Sequence, residues 1–364
     1  MTSSPEIKVG VVASTLAVGG AERQLATLAR GLEARGCEFS FFLLRGVGAV
    51  GANLARDGFD VEGNIMSRPA RWLRVVRELR KHDLLAALDH NNVLTLLPTF
   101  GRRLPPYVVL YHLQDEPPRR WLRALRRACA VVAVAQSQVS LLRSLDEGSL
   151  EVIANGVPLP PAVTPGERRQ ARERLGLAAD AVVAAAVSRL SPEKGVDVLL
   201  EAMTLIEEDG RPLLVVAGEG PERRRLEKFA RGRLGSGCVF LGELADVSPL
   251  YRAADLFVLP SYRESAPLAL LEAMAHGLAA VAASVGDVPA MLSEGGGFTF
   301  TAGSAPELAA AIETLTGEAA TRSAMGASAR AAVARRYGVE RMLDEYEALF
   351  KRVAGEGKRD AGEE

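Results

Sequence analysis

Arg189 and Lys194 stand five residues apart in Ser188-Arg189-Leu190-Ser191-Pro192-Glu193-Lys194-Gly195, between an apolar run and a helical pattern. Two fixed cations at that spacing, beside a helix N-terminus, neutralise a diphosphate. Ordinary surface charge would also account for them. A second turn, Gly218-Glu219-Gly220-Pro221, again joins strand to helix; its glycines allow close backbone approach, and Pro221 suits a first helical turn. The third segment, Arg263 to Met274, holds two carboxylates separated by seven residues, Glu264 and Glu272. Between them run Ser265, Ala266, Pro267 and Leu268, and Pro267 opens a helix, which leaves Glu264 in the loop and Glu272 on the helix. Carboxylates accept hydrogen bonds from neighbouring hydroxyls in pairs, which is what sugar rings and ribose offer. A capping residue plus a solvated helical Glu is the plainer account. A fourth turn, Val285-Gly286-Asp287-Val288-Pro289, follows another apolar run. In the first half, Gly19-Gly20 lies between strand and helix, and His112 ends a strand just before Leu113-Gln114-Asp115. A lone His is more often structural, but open parallel sheets bind ligands at their strands' carboxyl ends, where His112 falls.

The elements that must position these residues are βαβ units. Short apolar runs alternate with longer helical patterns throughout. Strands are expected at Ile7–Ala13, Glu38–Leu44, Leu84–Asp89, Tyr107–His112, Val131–Ala135 and Glu151–Ala154. The second half repeats the scheme at Val182–Val187, Leu213–Ala217, Val239–Leu241, Leu256–Leu259, Leu278–Ala283 and Gly297–Phe300. Asn155-Gly156-Val157-Pro158-Leu159-Pro160-Pro161 disfavours helix and central strand alike and reads as a linker between two doubly wound α/β domains. Helical spacing of Met342, Leu343, Tyr346, Leu349 and Phe350 marks a closing helix at Val339–Val353, with a frayed polar end at Gly355–Glu364.

At 364 residues and 48% apolar content the chain can fill two cores. Three separated cysteines (Cys37, Cys129, Cys238) in apolar surroundings are expected to be buried free thiols, and no CxxC or HxxxH spacing suggests zinc. The N-terminus has no signal-peptide character, and no stretch reaches the roughly 18 apolar residues of a membrane span, so a cytoplasmic protein is expected. Residues 1–150 carry 20 Lys/Arg against 14 Asp/Glu, the remainder 24 against 31. The basic half predicts an anionic partner. Two basic clusters with tryptophans lie there, residues 68–81 (Arg68, Arg71, Arg74, Arg77, Lys81 and Trp72) and 119–127 (around Trp121). They suggest peripheral contact with anionic lipid at the inner membrane face, or two ordinary amphipathic helices with Trp turned to the sheet.

Taken together, the Arg-x4-Lys-Gly element, the GxGP turn and the E-x7-E element continuing as Glu272-Ala273-Met274-Ala275 resemble the retaining family-4 glycosyltransferases of the GT-B fold. The likeness runs from Gly19 to about Phe350. It implies two Rossmann-like domains facing each other across a cleft. Residues 1–160 would be the acceptor side and 161–338 the nucleotide-sugar donor domain, with 339–364 packing back towards the first. It implies that Glu264 and His112 orient the donor sugar, Glu272 binds ribose, and Arg189 and Lys194 grip the diphosphate. Gly218, Ala266, Pro267 and Leu268 would line the donor, the loop holding Gly242 would touch the base through its backbone, and Gly19-Gly20 would close on the phosphates. Retention of configuration would let the leaving diphosphate accept the acceptor's proton, so protein cations would replace a metal and no cofactor is expected. Closure about the linker would exclude water. The partners implied are a UDP- or GDP-hexose and an unidentified glycan, lipid-linked or small-molecule acceptor, with no nucleic acid. Leu268 stands where Asn is frequent, Asp287 where a second Gly is usual, and Ala290 where Glu is usual. Those departures leave donor choice open, and Leu268 and Ala290 keep a non-catalytic carbohydrate binder as a rival. An epimerase or phosphorylase would share the fold but does not predict the ordered Arg/Lys, GxGP and E-x7-E set. A nicotinamide dehydrogenase is disfavoured, since Ala13–Ala21 lacks GxGxxG.

Overall fold

In the computed structural model, the structure describes residues 7–67, 69–88, 94, 104–143, 145 and 147–362. The chain divides into two units, one comprising Met1–Gly156 with Glu340–Glu364, the other Val157–Val339.

The first unit is built on a parallel sheet of strands β1 (Ile7–Ala13), β2 (Cys37–Leu43), β3 (Asp60–Glu62), β4 (Leu84–Leu88), β5 (Tyr107–Tyr111), β6 (Ala130–Ala133) and β7 (Leu150–Val152). Their order is β3-β2-β1-β4-β5-β6-β7. Six match expected strands to within about two residues at either end. The unexpected one, β3, is a three-residue edge strand, Asp-Val-Glu, with no apolar run to announce it. Alternate residues Val12, Leu85, Ala87, Val109, Tyr111, Val131 and Ala133 share one core with Val75, Leu79, Trp121 and Leu125.

The last helix, Val339–Gly362, is longer than the sequence suggested. The stretch expected to fray is helical to Gly362, since Lys358, Arg359 and Ala361 are good helix formers around Gly355 and Gly357. Met342, Leu343, Tyr346, Leu349, Phe350 and Val353 are all buried. Phe350 lies against Phe39, and Arg35 joins Glu340, Asp344 and Glu347 at 2.6, 2.6 and 2.9 Å.

The second unit holds β8 (Val183–Val187), β9 (Leu213–Ala217), β10 (Cys238–Gly242), β11 (Leu256–Leu259), β12 (Ala279–Ala283) and β13 (Gly297–Phe300), all parallel, in the order β10-β9-β8-β11-β12-β13. Residues facing either side of β8, β11 and β12 are buried, which is why these strands read as continuous apolar runs. Ala184, Ala186, Leu256, Val258, Val281 and Ala283 face a core with Leu199, Met203, Leu226, Leu308 and Ile312. Helix Pro165–Leu175 starts where its sequence dictates: Thr164 and Glu167 form a reciprocal capping box, Pro165 opens the first turn, and Gly176 ends the helix at φ +67°. The unit's two ends meet, because Val157 N–H donates to Tyr337 O and Val339 N–H to Val157 O.

Two side-chain expectations change, those for Cys129 and Cys238. Cys129 is exposed, one residue ahead of β6, whereas Cys37 is buried and Cys238 half-buried; all three are free. Trp121 is buried at 2% exposure, as are Val75, Val76 and Leu79, so the described apolar faces of both basic segments belong to the core. Arg68 lies outside the described residues. No described helix is long and apolar enough to cross a membrane.

Candidate functional site

In a parallel sheet all carboxyl ends emerge on one edge, and a crevice opens where the strand order reverses. In the second unit that reversal lies between β8 and β11. The loop leaving β8 is Ser188–Gly195, and the loop leaving β11 runs from Pro260 to Pro267. The geometry therefore brings three candidate residues to one crevice, Arg189, Lys194 and Glu264.

Backbone hydrogen bonds stitch this edge together. Leu190 N–H donates to Glu219 O (2.7 Å), Glu222 N–H to Leu190 O (3.0 Å), and Gly218 N–H to Gly242 O (2.7 Å). On the other side Tyr262 N–H donates to Glu193 O and Asp287 N–H to Ser265 O, both at 2.9 Å. Glycines make the approaches possible. A Cβ on Gly218 (φ +139°) would sit 1.8 Å from Ser188 O, and one on Gly286 (φ +53°) 2.1 Å from Glu264 O. Gly195, at φ +62°, stands equally close to Pro260 O. The glycines thus serve loop against loop, which their sequence spacing alone did not distinguish from plain turns.

The charges pair within this frame. Lys194 Nζ lies 2.7 Å from Glu264 Oε1, with Lys194 23% and Glu264 8% exposed along their side chains. Arg189 points outward, 68% exposed, and its guanidinium lies 2.6 Å from Glu193 Oε1. Ser191 Oγ donates to the same Glu193 oxygen at 2.6 Å. That hydroxyl and the Arg189 guanidinium hold the Glu193 carboxyl down to about 2. Both cations thus have anionic partners that a bound anion would have to displace.

Glu272, on the helix Leu268–Ala275, accepts from the hydroxyl of the buried Tyr251 at 3.1 Å. One turn on, His276 Nδ1 meets Glu272 O at 2.8 Å, and the His276 ring lies 5.2 Å from that of Tyr251. Burial depresses the His276 pKa, because water no longer stabilises the imidazolium. Pro267 caps this helix and Leu268 is its first residue. One of the smaller departures has a structural explanation. Asp287 adopts φ −89°, which any L-residue reaches, so glycine is not needed there. Ala290 is exposed, and Leu268 is half-buried. Pro221 lies in a turn ahead of helix Arg223–Arg233 and not within it.

In the first unit, Gly19 is the extended N-cap (φ −166°) of helix Gly20–Glu33, which follows β1 at that sheet's own reversal between β1 and β4. His112 directly follows β5 and is half-buried. Sequence reasoning passed over Tyr251, His276 and Gln138. Buried polar side chains show themselves only when their partners are known, and nothing in their spacing gave a signal.

HepE of Anabaena, crystallised with UDP, superposes with a TM-score of 0.83 at 23% identity, covering 95% of this chain and 100% of that one. Sucrose-phosphate synthase of Thermosynechococcus elongatus gives 0.81 at 19% identity, covering 96% and 99%. The fold is that of the GT-B glycosyltransferases. Residues 167–332 match the family described as glycosyl transferases group 1, and residues 18–159 match glycosyltransferase family 4. The chain belongs to the family-4 glycosyltransferases. D-inositol 3-phosphate glycosyltransferase 2 of Catenulispora acidiphila is 39% identical over 184 residues, 47% of this chain and 43% of that protein. The D-inositol 3-phosphate glycosyltransferase of Actinosynnema mirum is 40% identical over 186 residues, 46% of this chain and 43% of its own. The match thus spans under half the length of these curated relatives.

Proposed function

We propose that this chain transfers a hexosyl unit from a nucleotide sugar to an acceptor hydroxyl with retention of configuration and without a metal. The observation that carries this is the Lys194–Glu264 pair at the β8/β11 crevice, a cation and a carboxylate fixed where a sugar diphosphate would lie. On this reading the diphosphate takes Lys194 and Arg189 from their carboxylate partners. Glu264, released from Lys194, then accepts from sugar hydroxyls while Glu272, oriented by Tyr251, accepts from ribose. The two cations stabilise charge on the departing diphosphate, the work a divalent ion performs elsewhere. That diphosphate accepts the acceptor's proton on the face it leaves.

Two similarities favour particular substrates. HepE was crystallised with UDP and with UDP-glucose, which makes UDP-glucose the first donor to try. The relatives named for D-inositol 3-phosphate point to a phosphorylated polyol as acceptor.

The decisive experiment is thermal shift against UDP-, GDP- and ADP-sugars, followed by proton NMR of the product anomer, with and without EDTA. A UDP-sugar should raise the melting temperature by native-state binding, and the product should keep the donor's anomeric configuration in EDTA. An inverted product, or activity lost in EDTA and restored by Mg²⁺, would overturn the mechanism.

A further inference from the structure

Gln138 lies in the 3₁₀ helix Gln136–Leu142 that follows β6 and is 1% exposed. A primary amide is tolerated at that depth only when its donors and acceptor are all engaged. Here Oε1 accepts from the N–H groups of Val134 (2.8 Å) and Ala135 (3.1 Å). Nε2 donates to the carbonyls of Tyr111 (3.3 Å) and Leu113 (2.8 Å). This orientation of the amide is the one that pairs all four groups.

The two carbonyls belong to the residues on either side of His112. The β5–β6 ladder runs out at Tyr111–Ala133, just where Gln138 takes over. Its side chain continues the join past the end of the sheet and ties the exit of β5 to the exit of β6.

We propose that Gln138 is a positioning residue for His112: its amide holds the backbone on both sides of that histidine and so fixes where the imidazole stands. The role rests on the reading above that His112 acts on the transferred sugar. Gln138 does not itself meet substrate. A substitution that spares the acceptor but spoils the donor separates positioning from mere support. Gln138→Glu keeps an oxygen towards Val134 and Ala135 but turns a second oxygen towards the carbonyls of Tyr111 and Leu113. Gln138→Met removes both halves at similar volume.

The test is NMR of protein labelled with ¹³C-histidine, with the His112 ring signals assigned through His112→Ala. In Gln138→Glu and Gln138→Met the His112 ring shifts should move while those of His82, in the same unit, and His276, in the other, stay in place. The kcat for UDP release from UDP-glucose should fall roughly tenfold or more, as misplacement of a reacting group does, while the Kd for UDP changes less than twofold. Unchanged His112 signals in a folded variant would overturn the proposal. So would His82 and His276 moving as far as His112, which would mean a general loosening. If His112→Ala itself keeps full turnover, the catalytic reading of His112 fails, whereas the positioning of the ring by Gln138 is still decided by the shifts.

Discussion

At the scale of single residues, the Lys194–Glu264 contact links two positions 70 residues apart. Their loops were legible in the sequence, as strand-to-helix turns with charge. Their pairing was not, because it follows from β11 lying beside β8, an order no local pattern specifies. The contact makes a prediction that the residues separately would not. Lys194→Ala should weaken UDP binding by about 1.5–3 kcal/mol, the worth of a charge-assisted hydrogen bond. It should also lower the melting temperature, since it strands a carboxylate that is 8% exposed. Glu264→Gln should leave UDP affinity equal or higher, because Lys194 loses its competitor, while turnover collapses. Calorimetry with UDP alongside turnover separates the two, and a collapse of UDP binding in Glu264→Gln would show that Glu264 serves the nucleotide. Arg189 offers a parallel case. Glu193 holds it through a carboxylate still ionised far below neutrality, so Glu193→Gln should tighten UDP binding severalfold at pH 7, and a weaker Kd would contradict this.

At the scale of elements, the edge of the second sheet depends on glycines whose hydrogens face carbonyl oxygens. Gly218→Ala and Gly286→Ala would each force a methyl group into a backbone oxygen and an unfavourable φ, so both should lose several degrees of melting temperature and most UDP affinity. Gly210→Ala, where a Cβ meets nothing within 4 Å, is the control and should change neither. The helix carrying Glu272 adds a pH dependence. Burial places the folded His276 pKa below the ordinary 6.5, so the unfolded chain binds this proton first as pH falls. Stability from this source is complete above pH 6.5 and is lost progressively below it, until the folded pKa is reached. His276→Asn, which keeps a donor for Glu272 O, should reduce the drop in melting temperature between pH 7 and 5; an unchanged drop would mean another group governs it. Strands such as β4, β8, β11 and β12 were legible because buried parallel strands are unbroken apolar runs, and β3 was not because an edge strand of Asp60-Val61-Glu62 buries too little to leave such a run. The closing helix was legible through its apolar spacing, and its continuation to Gly362 was not, since a polar, glycine-containing sequence is shared by helix ends and frayed chain.

At the scale of the whole molecule, charge looks different once the first unit is seen to include Glu340–Glu364. Met1–Gly156 with that segment carries 25 Lys/Arg against 23 Asp/Glu, a net +2, where the first 150 residues with 20 against 14 carry +6. What remains is local. Arg119, Arg120, Arg123, Arg126 and Arg127 are exposed beside a buried Trp121. Association with anionic vesicles should therefore be electrostatic alone, present at low ionic strength and released by about 0.5 M NaCl, where the Debye length is only a few ångströms. Retention at high salt in a flotation assay would mean apolar insertion, which the buried Val75, Val76, Leu79 and Trp121 do not offer. The same division of the chain sets an order of assembly during synthesis. Residues up to Gly156 leave the ribosome before the second unit, yet Phe350 and Val353, at 0% exposure and part of the first unit, leave after it. The second unit, whose ends meet at Val157 and Val339, is complete before them and can fold first, while the nascent first unit waits with the seat of Phe350 open beside Phe39. A ribosome stalled before residue 340 would display that open apolar seat to chaperones, and of the two units the one begun first would be the one completed second.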